Sequence, residues 1–141
     1  MRRRSDVRRF LRNRDGAQAV EFALVAPVLI AFLFGTFEIG RVMYTESKVA
    51  EAASAGARAA TVYNKASSAY TSAESTKVSD EVKNRFDASD RSLVQVNFSD
   101  TTFGTQNFVK IDVTYTFSFL VHFGPFASPV TISTTRYSPY L

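Results

Sequence analysis

The sequence contains no cysteine, and only one of its 141 residues is a histidine. The lack of cysteine excludes a disulfide framework, a Cys-ligated zinc site and a lipid-modified cysteine. His122 lies between Val121 and Phe123 beside a Gly-Pro turn, where a structural role is typical of an isolated ring. The chain also has no phosphate loop, nucleophile elbow or metal-ligand spacing. We therefore expect no catalytic, cofactor-binding or metal site, and no enzyme activity.

The C-terminal three quarters of the chain have no net charge. Residues 38–141 carry ten Lys/Arg and ten Asp/Glu, whereas residues 1–16 carry seven Arg against two Asp. Clustered arginines can neutralise nucleic-acid phosphates, but sixteen residues cannot form a folded DNA reader. A positive cluster directly before an apolar run is instead typical of a segment retained in the cytoplasm. We expect no nucleic-acid partner for this basic head.

The apolar run covers residues 17–37, AQAVEFALVAPVLIAFLFGTF, and holds one charge, Glu21. A helix of this length rises about 30 Å, which matches the bilayer core. A signal peptide would need a small-x-small site soon after the run, but the first good candidate lies at residues 53–57, beyond several charges. A buried helix of a soluble protein would not explain the charge asymmetry. We predict a transmembrane helix in the lipid bilayer, with residues 38–141 outside the cytoplasm.

A helical stem is predicted to follow the span over residues 38–63, which lack proline and are rich in Ala, Glu, Lys and Arg. Ala52, Gly56 and Ala60 form a row of small residues at every fourth position. Such a row lets a second helix or a sheet approach closely, although helix propensity alone would also explain it.

The C-terminal domain, residues 64–141, combines weak helical and strong strand signals. We predict a loop over 64–76 and a short helix over 77–86. Three segments alternate apolar and polar side chains or are rich in β-branched residues, and are predicted strands: 92–99, 108–121 and 130–137. Short connections favour an antiparallel sheet whose apolar face packs on the stem. The predicted fold is α+β, a long N-terminal helix on a small three-stranded sheet.

The stretch from Gly16 to Phe22, GAQAVEF, stands between the basic head and the apolar helix and resembles a prepilin processing site. The resemblance implies that a membrane-embedded prepilin peptidase cuts after Gly16 on the cytoplasmic face. The mature chain then begins at Ala17, and Glu21 becomes its fifth residue. Glycine suits the junction because it lets the backbone approach a protease cleft without a side chain. Residues 1–16 are accordingly expected to be a cleaved leader.

Further residues resemble one branch of that group, the TadE-like minor pilins or pseudopilins of the tight-adherence (Flp, type IVc) pilus. The matching positions are Gly16, Ala17, Val20 to Ala23, Pro27, Phe34, Gly35, Glu38, Gly40, Arg41, Ala52, Ala53, Ala57 and Arg58. The major pilin of that system is shorter and has tyrosine where this chain has Phe22, so a minor subunit fits better. The implied partners are other pilins, the assembly platform and the peptidase, at the bacterial inner membrane. The alternative is an unprocessed single-span membrane protein with an extracytoplasmic partner-binding or sensing domain.

Three residues of the span have expected roles. A carboxylate in an apolar span needs a partner, so Glu21, beside Phe22, is predicted to pair with the new α-amine of Ala17, from its own chain or from a neighbouring stem. Pro27 leaves the carbonyl of Ala23 without its helical donor. It either marks a mild break in the stem or is merely tolerated in a membrane helix.

Overall fold

The computed structural model describes residues 14–63, 72–120 and 129–139. Its helices are α1 (Arg14–Tyr63) and α2 (Ser72–Lys83), with a 3-10 turn at Arg91–Leu93. Its strands are β1 (Val94–Phe103), β2 (Gln106–Phe117) and β3 (Val130–Pro139). A long N-terminal helix and a three-stranded antiparallel sheet confirm the predicted α+β fold. His122 and most of the basic head lie outside the described residues.

The chain divides into two units, residues 1–39 and 40–141. In the first, α1 exposes its large apolar side chains, among them Phe22, Leu24 and Phe32 at 73%, 71% and 69% exposure. Within the part of the chain that the structure describes, α1 is the one helix long and apolar enough to cross a membrane. Water would solvate this surface poorly, whereas hydrocarbon matches it.

The second unit is built on a meander in which β2 is the central strand and pairs antiparallel with both β1 and β3. Phe103 pairs with Gln106, so a two-residue turn closes the first hairpin. Gly104 takes φ +63° in that turn, a conformation that glycine adopts without steric cost. The period-2 pattern of β2 turns one face inward, with Val109, Ile111, Val113, Tyr115 and Phe117 all buried.

The core of the second unit lies between that sheet face and two helical segments. From α1 it takes Val49, Ala52, Ala53 and Ala60, and from α2 it takes Val78 and Val82. Phe86 follows α2 and stacks on Tyr115 with ring centroids 5.7 Å apart. The stem beyond residue 40 is therefore packed on the sheet, because its apolar stripe and the inward strand face bury each other.

The predicted bounds of the second helix are wrong at both ends. α2 begins at Ser72, inside the predicted loop, and ends at Lys83; residues 64–71 of that loop lie outside the described residues. Burial of Val78 and Val82 favours the helix despite its Ser and Thr content, and Glu74 suits the positive end of the helix dipole. Phe86 is still buried, but it is reached through a turn in which its N–H bonds the Lys83 carbonyl at 3.0 Å.

Strand bounds also differ from the prediction. β1 starts at Val94 and continues to Phe103, because the tight turn at Gly104 keeps the hairpin paired to its tip. β2 ends at Phe117, where its pairing with β3 ends at Val130, so the predicted extension over residues 118–120 is wrong. Alternation continues past Phe117 in the sequence, but a strand also needs a hydrogen-bonded neighbour.

Candidate assembly surface

Gly16 and Ala17 lie in the first turns of α1 and are exposed. Apart from its chain neighbours and the nearby backbone of its own helix, no atom comes within 4 Å of a Cβ built on Gly16. The predicted junction is therefore uncovered and helical. Since the N-terminal turn of a helix has few internal hydrogen bonds, it is the part that unwinds most easily into an extended strand.

Glu21 is exposed about one helical turn beyond Ala17, beside the exposed ring of Phe22. The two backbone positions are about 6 Å apart along the helix axis. Its carboxylate makes no ion pair with any residue of 14–63, 72–120 or 129–139. Among the described residues, no cationic side chain therefore pairs with the Glu21 carboxylate on this apolar helix.

Pro27 lies inside α1 and is exposed. The helix continues through it over the full range from Arg14 to Tyr63. Because proline has no N–H, the carbonyl of Ala23 lacks its usual helical donor at this position.

The row of small residues is covered by the chain's own core. Ala52 and Ala60 have no exposed surface. A Cβ on Gly56 would lie 2.6 Å from Cγ2 of Val82 and 4.0 Å from Cγ2 of Ile111. The helix and the sheet that the row admits are therefore α2 and β2 of the same molecule.

Three side-chain contacts, none of which the sequence analysis identified, set the direction of the stem on the sheet. The Arg41 guanidinium lies 4.9 Å from the centre of the Phe117 ring. Arg136 Nε donates to Ser54 Oγ at 3.3 Å, and the hydroxyl oxygens of Thr61 and Ser138 are 2.9 Å apart. Their order shows that α1, from residue 41 to residue 61, runs antiparallel to β2. Only the fold brings such distant residues together, so no local pattern predicts these pairs.

An ion pair joins the stem to the turn after α2. Lys48 Nζ lies 3.2 Å from Asp87 Oδ2 and within 5.8 Å and 5.7 Å of the ring centres of Tyr44 and Phe86. Burial lowers the pKa of Lys48, but its hydrogen bond to Asp87 and the negative charge of that carboxylate outweigh burial and raise the pKa. This pair holds the segment after α2 against the stem.

The outer face of the sheet carries a second charged group. Lys110 Nζ lies 2.7 Å from Asp112 Oδ2, and Thr135 Oγ1 donates to the other carboxylate oxygen. Burial raises the pKa of Asp112, but the hydrogen bonds from Lys110 and Thr135 outweigh it and hold the pKa below its usual range. The hydrogen bond to Asp112 raises the pKa of Lys110. The network ties β2 to β3 across the sheet.

The Asp112 network predicts a pH-dependent part of stability. Because the pKa of Asp112 is lower in the folded protein, its carboxylate stabilises the fold above about pH 4, and this stability is lost at lower pH. Because the pKa of Lys110 is raised, its ammonium group stabilises the fold below about pH 10. Asp112→Asn should therefore lower the free energy of unfolding at pH 7 by less than about 1 kcal/mol, because the pair is partly solvated. Urea titrations should show the difference shrink at pH 3. An equal difference at both pH values would contradict this role.

A shallow open groove lies between the end of α1 and α2. Its lining residues are Ala55, Arg58, Ala59, Val62, Tyr63, Glu81 and Arg85. Arg85 is engaged by Glu81 at 3.1 Å and, more weakly, by Glu51 at 3.9 Å. Within the described ranges there is no group of three or more His, Cys, Asp or Glu side chains that could hold a metal ion. The groove combines apolar contacts with surface ion pairs.

Comparison with known proteins bears on the N-terminal part of the chain. Residues 16–58, just under a third of the sequence, match the family model described as TadE-like protein. No curated protein and no solved structure matches the chain. The matched stretch contains the Gly16 to Phe22 motif, the exposed apolar helix and the start of the packed stem. It confirms the resemblance seen in the sequence: residues 16–58 of this chain are similar to the TadE-like family.

Proposed function

We propose that this protein is a minor pilin or pseudopilin of a tight-adherence type IV pilus. A prepilin peptidase cuts it between Gly16 and Ala17, and it then takes part in pilus assembly with other pilins and the assembly platform. The observation that carries the proposal is the TadE-like match over residues 16–58, which coincides with the junction motif and the uncovered apolar helix.

The exposed helix supports a membrane protein that later joins an assembly. Residues 16–37 expose apolar side chains in all directions, and hydrocarbon is the medium that solvates such a helix best. The basic head retains the N-terminus in the cytoplasm at the bacterial inner membrane, and residues 38–141 work on the other side. In a pilus, neighbouring stems replace lipid as the apolar surroundings.

A structural role is proposed rather than catalysis. Lys48, Arg85 and Lys110 form surface ion pairs with Asp87, Glu81 and Asp112, respectively, and such pairs are common on protein surfaces. The other candidate is an unprocessed single-span protein whose outer domain binds or senses a partner. The two functions differ in whether residues 1–16 remain part of the mature protein.

Proteolytic cleavage between Gly16 and Ala17 is the property that tests the proposed function. Co-expression with the matching prepilin peptidase should give a 125-residue product that begins Ala-Gln-Ala-Val-Glu, since cleavage removes residues 1–16 of the 141. Intact mass and N-terminal sequencing of the membrane-extracted protein measure this. Because the peptidase cuts at the cytoplasmic face, the product also reports the orientation of the span.

A matched pair of variants identifies the junction. Gly16→Val should remain at full length because a branched side chain obstructs the extended approach to the protease. Gly35→Val, on the same helix with open space around its Cβ, should be cut like the native chain. Recovery of only the 141-residue native chain, with the peptidase active on another substrate, would remove the processing proposal.

A further inference from the structure

Every residue that lines the open groove beside α2 belongs to the second unit. Contacts along the groove join rising residue numbers on α1 to falling numbers in and just after α2: Glu51 with Arg85 at 3.9 Å, Gly56 with Val82, and the Tyr63 ring centre with Lys77 Nζ at 5.3 Å. The two helices are therefore antiparallel and in close contact. The groove is the open valley along that contact.

Small and apolar side chains line the α1 side of this valley. Ala55 is buried and Ala59 is half-buried, whereas Val62 is 68% exposed and Tyr63 is 40% exposed. The cavity measures about 260 Å³. Side chains of a third helix fit into a valley of this kind by packing their ridge into the groove. From residue 51 to residue 63, α1 rises about 18 Å, which matches about three turns of such a helix.

The charges along the groove are not balanced. Arg85 is paired with Glu81 at 3.1 Å and, more weakly, with Glu51. Arg58 also lines the groove and is exposed, but it makes no ion pair within residues 14–63, 72–120 and 129–139. Lys77 adds another cation beside Tyr63. The valley thus combines apolar surface with an excess of positive charge, which attracts an acidic partner.

We propose that this groove binds an amphipathic α-helix of another protein, which packs aliphatic side chains on Ala59 and Val62 and presents a carboxylate to Arg58. Recognition of a helix in a groove uses this combination of apolar anchors and a polar contact. The planar guanidinium matches a carboxylate with two parallel donors. A phosphate or a nucleic acid would satisfy Arg58 alone and leave Val62 uncovered. Binding here depends neither on cleavage after Gly16 nor on the membrane location.

The binding test uses the full chain in detergent and a displayed library of helical peptides of about 14 residues, which is about four turns. Peptides that bind the native chain are counter-selected on the double variant Arg58→Gln, Val62→Ser. We expect the enriched sequences to share an Asp or Glu within one turn of Leu, Ile or Val. Fluorescence anisotropy then gives the Kd of the best peptide and of its counterpart with an amide in place of the acid.

The native chain should bind the acidic peptide about fivefold more tightly than the amide peptide, the upper end for an exposed ion pair. Arg58→Gln should remove this preference. Lys83→Gln is the matched control, because Lys83 lies on α2 but does not line the groove, and it should retain most of the preference. Val62→Ser should weaken both peptides about fivefold, since it removes apolar contact area. Native urea midpoints would show that these variants are folded.

Three results would overturn the inference. The first is a selection that yields no peptide able to distinguish the native chain from the double variant. The second is an equal loss of preference in Arg58→Gln and Lys83→Gln, which would indicate a general effect of charge. The third is competition by polyphosphate, or by an acidic peptide without aliphatic residues, that equals competition by the selected peptide. The groove would then be a plain anion site.

Discussion

Gly56→Val is expected to destabilise the second unit by about 3 kcal/mol or more, the upper end of the cost of overpacking a core. A Cβ at this position already lies 2.6 Å from Cγ2 of Val82, and Val82 is fully buried between α1 and the sheet. Valine adds two methyl groups beyond that Cβ, so α1 and α2 must separate. Urea unfolding of the full chain in detergent, followed by fluorescence of its six tyrosines, measures the change.

The matched control is Gly40→Val on the same helix, where a Cβ meets nothing within 4 Å. Valine and glycine differ by only a few tenths of a kcal/mol in helix propensity, so its urea midpoint should stay near that of the native chain. Gly56→Ala alone should also lower the urea midpoint, because its Cβ meets the same Val82 methyl group. Adding Val82→Ala should recover part of that loss, because it removes the obstructing methyl groups. Equal midpoints for the two valine variants would contradict the close approach of the helices.

Glu21→Ala is expected to lower co-purification with other pilins by about a hundredfold, while membrane insertion and cleavage continue. Breaking a buried charge pair costs about 3–5 kcal/mol because the remaining charge is left without a partner, and about 3 kcal/mol corresponds to that factor. If Glu21 pairs between subunits, as this prediction assumes, the remaining charge is the α-amine of Ala17 in a neighbouring stem. The second unit should keep its native urea midpoint, since Glu21 lies in the first unit.

Gln18→Ala is the control for this variant, because Gln18 is exposed on the same turn of α1 and is uncharged. It should assemble like the native chain. The amine of the same chain is the competing partner for Glu21, and pairing within one subunit would leave contacts between subunits intact. Normal piliation by a Glu21→Ala protein that is inserted and cleaved would therefore show that the carboxylate has no role between subunits.

Local sequence patterns were sufficient to predict those elements that composition or periodicity within one segment defines. The apolar run of 17–37 predicts a helix of membrane length from composition alone, and α1 covers it. The alternation from Phe108 to Phe117 predicts β2 and its inward face, because period 2 sets the side of a strand on which each residue lies. The TadE-like signature is local in the same way, and the match over residues 16–58 confirms it.

The tertiary structure decided what depends on residues far apart in the chain. Ala52, Gly56 and Ala60 indicate that something packs closely, but only the fold shows that Val82 and Ile111 fill the space. The end of α2 depends on the buried position that Phe86 takes after it. The end of β2 depends on β3, because Phe117 is the last residue of β2 that pairs with that strand. The sequence by itself therefore determined the periods and faces of the elements, since these follow from backbone geometry within one segment. Their ends, contacts and direction were decided by packing, because each requires a partner that the segment does not contain.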